Sequence, residues 1–293
     1  MDRVHATGSG TGRVDEVDLT PRLLVFFAIT FAASWLCWIA FLAISGGTPA
    51  SNPAVAVAAT AIFLLGVFAP GLTAIALTAR NEGRAAVEAL LGRILKWDVG
   101  ARWYVFAIGY IPVIKLLAAA VHRVATGQWP RFGQEPLYLM LAAILISTWV
   151  QAGEEIGWRG YALPRLSEHF GLPISSITLG IIWATWHLPL FFFPESSTLG
   201  QSFPLYLLQV TAISVTMAWL YWRTGGSLLL VMLFHAAANN LKDIVPSTAP
   251  AAAGIFAFSG SLVGWLTVTF LWIGAAFFLI QMSGTASLRS LSK

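Results

Sequence analysis

The sequence predicts an all-α polytopic membrane protein, a bundle of about eight transmembrane helices with both termini in the cytoplasm. Three observations carry that prediction. Hydrophobic residues fill 57% of the 293 positions and charged residues only 10%, against roughly 25% charged in soluble domains. Apolar runs near the length that crosses a ~30 Å hydrocarbon layer recur along the chain. The segments between them carry turn chemistry: SGGTPASNP, TGQWPRFGQEP, PESSTLGQSFP and RTGGS.

Taken in order, residues 1–21 are charged and rich in Gly, Ser and Thr. They lack the apolar core of a signal peptide and predict a disordered cytoplasmic tail. Spans are expected at 22–44, 54–79, 103–122, 136–158, 174–193, 203–222, 227–244 and 260–282. They form a single transmembrane domain over 22–283, followed by a cytoplasmic tail at 284–293. With the N-terminus inside, thirteen Lys and Arg fall on cytoplasmic segments; only Arg123, Arg131 and Lys242 fall on outer loops. That asymmetry sets the orientation. Segment 80–102 reads equally as an amphipathic helix on the inner surface, through VEALLGRILKW, or as a positive connector. Lys115, inside the third span, is expected to snorkel to the outer face, and Lys242 and Asp243 to mark the outer end of the seventh.

Composition also excludes functions. The excess of 17 Lys and Arg over 13 Asp and Glu suits a surface beside anionic lipid rather than nucleic acid. Cys37 is the only cysteine, so there is neither a disulfide framework nor a cysteine zinc site. Expected partners are membrane lipid and a peptide or protein substrate. The lack of targeting signals fits a multi-pass protein of a bacterial inner membrane.

Polar residues inside membrane spans are costly and form the functional shortlist. Three clusters stand out: Glu154-Glu155-x-x-x-Arg159, Trp183-x-x-x-His187 and His235-x-x-x-Asn239. Residues four apart share a helix face and adjacent residues do not. Glu155 and Arg159 are therefore expected to form an intrahelical ion pair, leaving Glu154 without a local counter-ion. His235 and Asn239 share a face, and Trp183 stands one turn before His187, where it could shield or orient the imidazole.

One free carboxylate, two imidazoles and an amide suit the hydrolysis of a carbonyl compound without a covalent nucleophile. Glu154 with His187 could deprotonate a water, and His235 with Asn239 could donate to a developing oxyanion. The same Glu154, His187 and His235 also resemble a His2Glu zinc site with water in the fourth position. The sequence leaves metal-activated and glutamate-activated water both open. Depth poses a difficulty. His187 lies ~21 Å along its helix from Pro173, and His235 only ~12 Å from Ser227. The depths agree if span five is tilted or starts later, or if span four continues beyond the membrane.

EExxxR, an aromatic-xxx-His and HxxxN, in that order on successive spans, resemble the CPBP family of intramembrane proteases. That family contains CAAX prenyl endopeptidases and bacteriocin-processing or bacteriocin-immunity proteins. The resemblance covers roughly 136–243, the expected catalytic core; the first three spans match only as hydrophobic segments. It implies an endopeptidase cutting a peptide bond near the cytoplasmic face. Glu154 would be the catalytic glutamate assisted by His187, with His235 and Asn239 at the oxyanion and Glu155 and Arg159 in support. The departure is Trp183, where the family usually shows Phe, which puts the packing around His187 in question. The alternative is a non-catalytic membrane immunity or binding protein of the bacteriocin-related kind. No HExxH, paired GxGD aspartate or GxSG serine supports another intramembrane protease class.

Overall fold

A computed structural model describes residues 19–45, 52–194, 196–247 and 254–283. The expected tails lie outside the described residues, apart from positions 19–21, which already belong to the first helix. Every regular element among the described residues is helical. The principal helices are α1 (Leu19–Ser45), α2 (Pro53–Glu82), α3 (Arg84–Gly92), α4 (Ala101–Thr126) and α5 (Leu137–Val150). They continue through α6 (Ala152–Glu155), a π-helical stretch (Ile156–Ala162), α7 (Leu163–Trp186), α8 (Phe203–Arg223), α9 (Leu228–Leu241) and α10 (Leu262–Met282).

Local chemistry starts these helices where the sequence changes character. Asn52 caps α2 by accepting from the Ala54 amide at 2.9 Å. Ser202, Ser227 and Ser261 do the same for α8, α9 and α10, from Leu205, Leu230 and Gly264 at 3.3, 3.3 and 3.1 Å. Each cap satisfies an amide that the helix itself leaves unpaired.

Among the described residues six helical runs are long and apolar enough to cross a membrane, and they hold seven of the eight expected spans. One run, Leu137–Phe192, holds the fourth and fifth spans together. It turns back on itself at Gly171, whose φ of 70° is open to glycine and strained for other residues. The reversal is proved by contact: Trp183, after the turn, reaches Glu154, well before it. The expected seventh span is α9, only 14 residues long and packed between α4 and α5.

The two ends of the bundle are distinct. At one end Lys96 donates to the Gly225 carbonyl at 2.7 Å, Ser227 donates to the Lys96 carbonyl at 2.6 Å, and Arg165 pairs with Glu82. At the other, the Gly133 amide donates to the Ile244 carbonyl at 3.0 Å. Lys115 departs from the snorkelling expectation. It is 3% exposed and donates to Ser247 Oγ, because residues 243–247 fold over it instead of leaving it a route outward. Lys242 and Asp243 do close the end of α9, as a pair at 2.7 Å.

Candidate active site

The two glutamates sit in the middle of a continuous helical run rather than at its end, since the helix carries on to the Gly171 turn. This removes the difficulty of depth. Span four continues past the ion pair, so Glu154 and His187 lie at similar distances from the turn that joins their helices.

Small residues hold this backbone against α2. A Cβ on Gly153 would stand 2.9 Å from the Phe68 ring, and one on Gly157 would stand 2.6 Å from the Pro70 carbonyl carbon. A Cβ on Gly71 of α2 would lie 2.8 Å from the Gly153 carbonyl oxygen. Gly153-x-x-x-Gly157 is thus a small-residue crossing of the kind that lets membrane helices meet backbone to backbone. The π-helical stretch begins directly after Glu155; such widened turns recur at functional sites. The second span, which reads only as a hydrophobic segment, is what fixes the glutamate backbone.

Glu155 is fully buried and saturated. Its carboxylate accepts from Arg159 Nη1 at 2.9 and 3.0 Å and from His235 Nδ1 at 2.8 Å. The ion pair expected from spacing is present, and His235 joins it from α9. Arg159, also fully buried, lies over the Trp183 ring at 4.3 Å, which supplies cation–π stabilisation to a guanidinium far from water. Because Nδ1–H of His235 points at a carboxylate, its Nε2 is the nitrogen left for chemistry.

Glu154 is in the opposite condition. It is 6% exposed, and among the described residues the one hydrogen bond to its carboxylate comes from a neutral donor, Trp183 Nε1–H to Oε2 at 2.7 Å. The same tryptophan accepts a 2.8 Å bond from His187 Nδ1–H through its carbonyl, which fixes the His187 tautomer and leaves Nε2 open. The Trp183 ring also stands edge-on to His187 at 5.8 Å and to His235 at 5.1 Å. Trp183 is therefore the hub of the cluster, a role its spacing before His187 only half revealed. The departure from the family's usual Phe has a use: a phenyl ring has no N–H to offer Glu154.

Asn239 lies one turn beyond His235 and is exposed; no hydrogen bond among the described residues holds its amide. The adjacent Asn240 is engaged instead, donating to Ser147 Oγ at 2.9 Å and to the Ala236 carbonyl at 2.8 Å. Tyr206, which belongs to none of the three motifs, stands edge-on to His187 at 5.7 Å. Among the described residues no three His, Cys, Asp or Glu side chains are grouped to hold a metal ion. Glu154, His187 and His235 are gathered around the Trp183 indole.

A multi-pass helical membrane protein that gathers a buried carboxylate and two oriented imidazoles around one indole has groups suited to hydrolysis inside the membrane. Comparison with known proteins makes this specific. Residues 134–241 match the Rce1-like family, described as type II CAAX prenyl endopeptidase Rce1-like. The CAAX prenyl protease 2 of Methanococcus maripaludis is 23% identical over 252 residues, covering 78% of this chain and 86% of that protein. These similarities fall on the same stretch as the three motifs and support the resemblance to CPBP-family membrane proteases.

Proposed function

We propose that the chain is an intramembrane endopeptidase in which Glu154 activates the attacking water. The observation that carries this reading is the contrast between two adjacent buried carboxylates. Glu155 is neutralised by Arg159 and His235, whereas Glu154 has only an indole N–H. A carboxylate that accepts no hydrogen bond from a cationic side chain keeps lone pairs free to take a proton from water.

In this mechanism Glu154, with His187 Nε2 orienting the water, removes a proton as the water oxygen adds to the scissile carbonyl carbon. Negative charge moves to the carbonyl oxygen, where His235 Nε2–H and the Asn239 amide donate to it. Glu155 orients His235 from behind by accepting from its Nδ1–H. Glu154 then returns the proton to the amide nitrogen, the C–N bond breaks, and a carboxylate and an amine leave. No step is routed through a metal.

The name of the archaeal relative supplies the first substrate to try: a peptide ending in a prenylated CAAX sequence, beside its unprenylated counterpart. With protein purified in detergent, mass spectrometry should find a single cleavage in at least one of the two. Glu154→Gln should abolish it while leaving the elution volume and melting temperature unchanged. Cleavage retained by that variant removes Glu154 as the base. Loss of activity with a chelator, restored by zinc, would transfer the water to a metal. A folded protein that cleaves neither peptide favours the immunity or binding reading.

A further inference from the structure

A cavity of about 290 Å³ opens at the end of the bundle where α9 finishes, lined by Lys115, Ser202, Tyr206, Lys242, Asp243 and Ser247, among others. It is small but close to the size at which pockets hold discrete ligands. Its charge is unbalanced. Asp243 Oδ2 is taken by Lys242 at 2.7 Å. Asp243 also acts on Lys115 electrostatically, yet the hydrogen-bonding partner of the Lys115 ammonium is a neutral hydroxyl, Ser247 Oγ at 2.5 Å. Two ammonium groups thus face one carboxylate. Lys115 is 3% exposed and carries three N–H donors, so it has bonding capacity that Ser247 does not fill. Ser259 Oγ, on the same wall, is buried without a partner. Burial of a cation is costly unless a counter-charge arrives.

The cavity adjoins the catalytic cluster. Tyr206 lines it and stands against His187 at 5.7 Å. Lys242 and Asp243, directly after the end of α9, also line it, so the cavity lies beyond the C-terminal end of the helix that carries His235 and Asn239.

We propose that this cavity is a carboxylate-binding subsite for the peptide substrate, with Lys115 as the counter-ion. A carboxylate there accepts from Lys115 Nζ and Ser259 Oγ, and the peptide bond to be cut lies a short fixed distance along the chain toward His187. This deepens the endopeptidase reading and rests on it. The carboxylate is either the chain end or an acidic side chain near it, and the test separates the two.

Three labelled peptides of one sequence serve as probes: one with a free C-terminus, one amidated, and one amidated with Glu as its last residue. Binding is measured by fluorescence anisotropy on Glu154→Gln protein in detergent, and turnover on the native chain. The free-acid peptide should bind about tenfold or more tighter than the amide, the gain a charge-assisted bond supplies. If a side-chain acid serves, the Glu-bearing amide recovers that gain. In a Lys115→Gln background the preference should fall below twofold, and Lys115→Arg should restore most of it. Ser259→Asp, which puts a carboxylate of the protein's own into the cavity, gives a second route to the same loss should Lys115→Gln fail to fold. Equal binding of all three peptides overturns the proposal, as does a preference that survives Lys115→Gln. Competition by phosphatidylglycerol vesicles but not by peptide carboxylate also overturns it and assigns the cavity to a lipid phosphate. Carboxylate-selective binding without turnover would leave the subsite standing and remove the protease reading; turnover without selectivity would do the reverse.

Discussion

Helices α9 and α10 read alike in the sequence, as apolar runs near the C-terminal end of the chain, yet they occupy opposite environments. At 1.5 Å per residue the 14 residues of α9 span only ~21 Å, short of a ~30 Å hydrocarbon layer. Neighbours cover them: Phe234, Ala236 and Ala237 are 0% exposed. The 21 residues of α10 are long enough to cross, and Ile273, Phe277 and Ile280 point outward at 61, 56 and 74% exposure. Hydropathy registers transfer out of water and does not distinguish lipid from protein. The difference decides where polar groups can be kept. A wrapped helix can present His235 because another helix supplies Glu155; a lipid-facing helix has no such partner to offer.

The largest test of this contrast is catalytic. Glu154→Gln keeps the shape of the side chain and its hydrogen bond to Trp183 but removes the proton acceptor. Cleavage should fall by about 10³-fold or more, in the range assigned to a general base, with the melting curve unmoved. A loss of both activity and fold would mean that the carboxylate is structural, like its neighbour.

Next in size is Arg159→Met. It leaves Glu155 buried with His235 alone, and breaking a buried pair by removing one partner costs roughly 3–5 kcal/mol. The loss would be read as a lower midpoint of unfolding in denaturant. The double variant Arg159→Met with Glu155→Gln should recover part of it, since the orphaned charge is then gone. If the double variant is no better than the single, the cost lies in lost packing of Arg159 against Trp183 instead.

How much of this was visible in the sequence follows from the range of each interaction. The Glu155–Arg159 pair was legible because both residues lie on one helix, where spacing alone fixes the face. Most of the spans were legible because length and hydropathy are local, but hydropathy did not show that α9 is too short to cross. The partners that complete the site are separated in sequence and were not legible: His235 on Glu155, the Trp183 indole on Glu154, and Tyr206 beside His187. Lys115 was misjudged because snorkelling presumes open solvent at the helix end, and residues 243–247 close that route. Gly153 and Gly157 could have been noticed as a small-residue pair, but nothing local says that α2 is what crosses them. The depth puzzle dissolved once the Gly171 turn replaced an assumed membrane boundary.

A smaller effect is expected at the hub. Trp183→Phe restores the residue type the family usually carries and deletes a single N–H from Glu154. A hydrogen bond to a charged group contributes roughly 1.5–3 kcal/mol, so kcat/KM should fall by about tenfold or more. The protein should stay folded, because the ring still covers Arg159. An unchanged kcat/KM would mean that Trp183 serves the site only through its carbonyl, which holds His187 and which Phe retains.

The smallest effect is expected on α10, and it bears on the comparison most directly. Ile280 is 74% exposed, and Ile280→Ala trades one apolar surface against lipid for a smaller one. In a membrane or a detergent micelle the unfolded reference keeps that side chain in the same apolar solvent, so no hydrophobic transfer term opposes the change. Stability should shift by no more than about 0.5 kcal/mol, the range of surface substitutions elsewhere. The same truncation at Leu230 of α9, which is 0% exposed, removes packing against protein and leaves a cavity, at roughly 2–5 kcal/mol. A cost at Ile280 comparable to that at Leu230 would mean that the outer face of α10 is covered in the membrane by another chain, and that the wrapped and lipid-facing helices differ less than the single chain suggests.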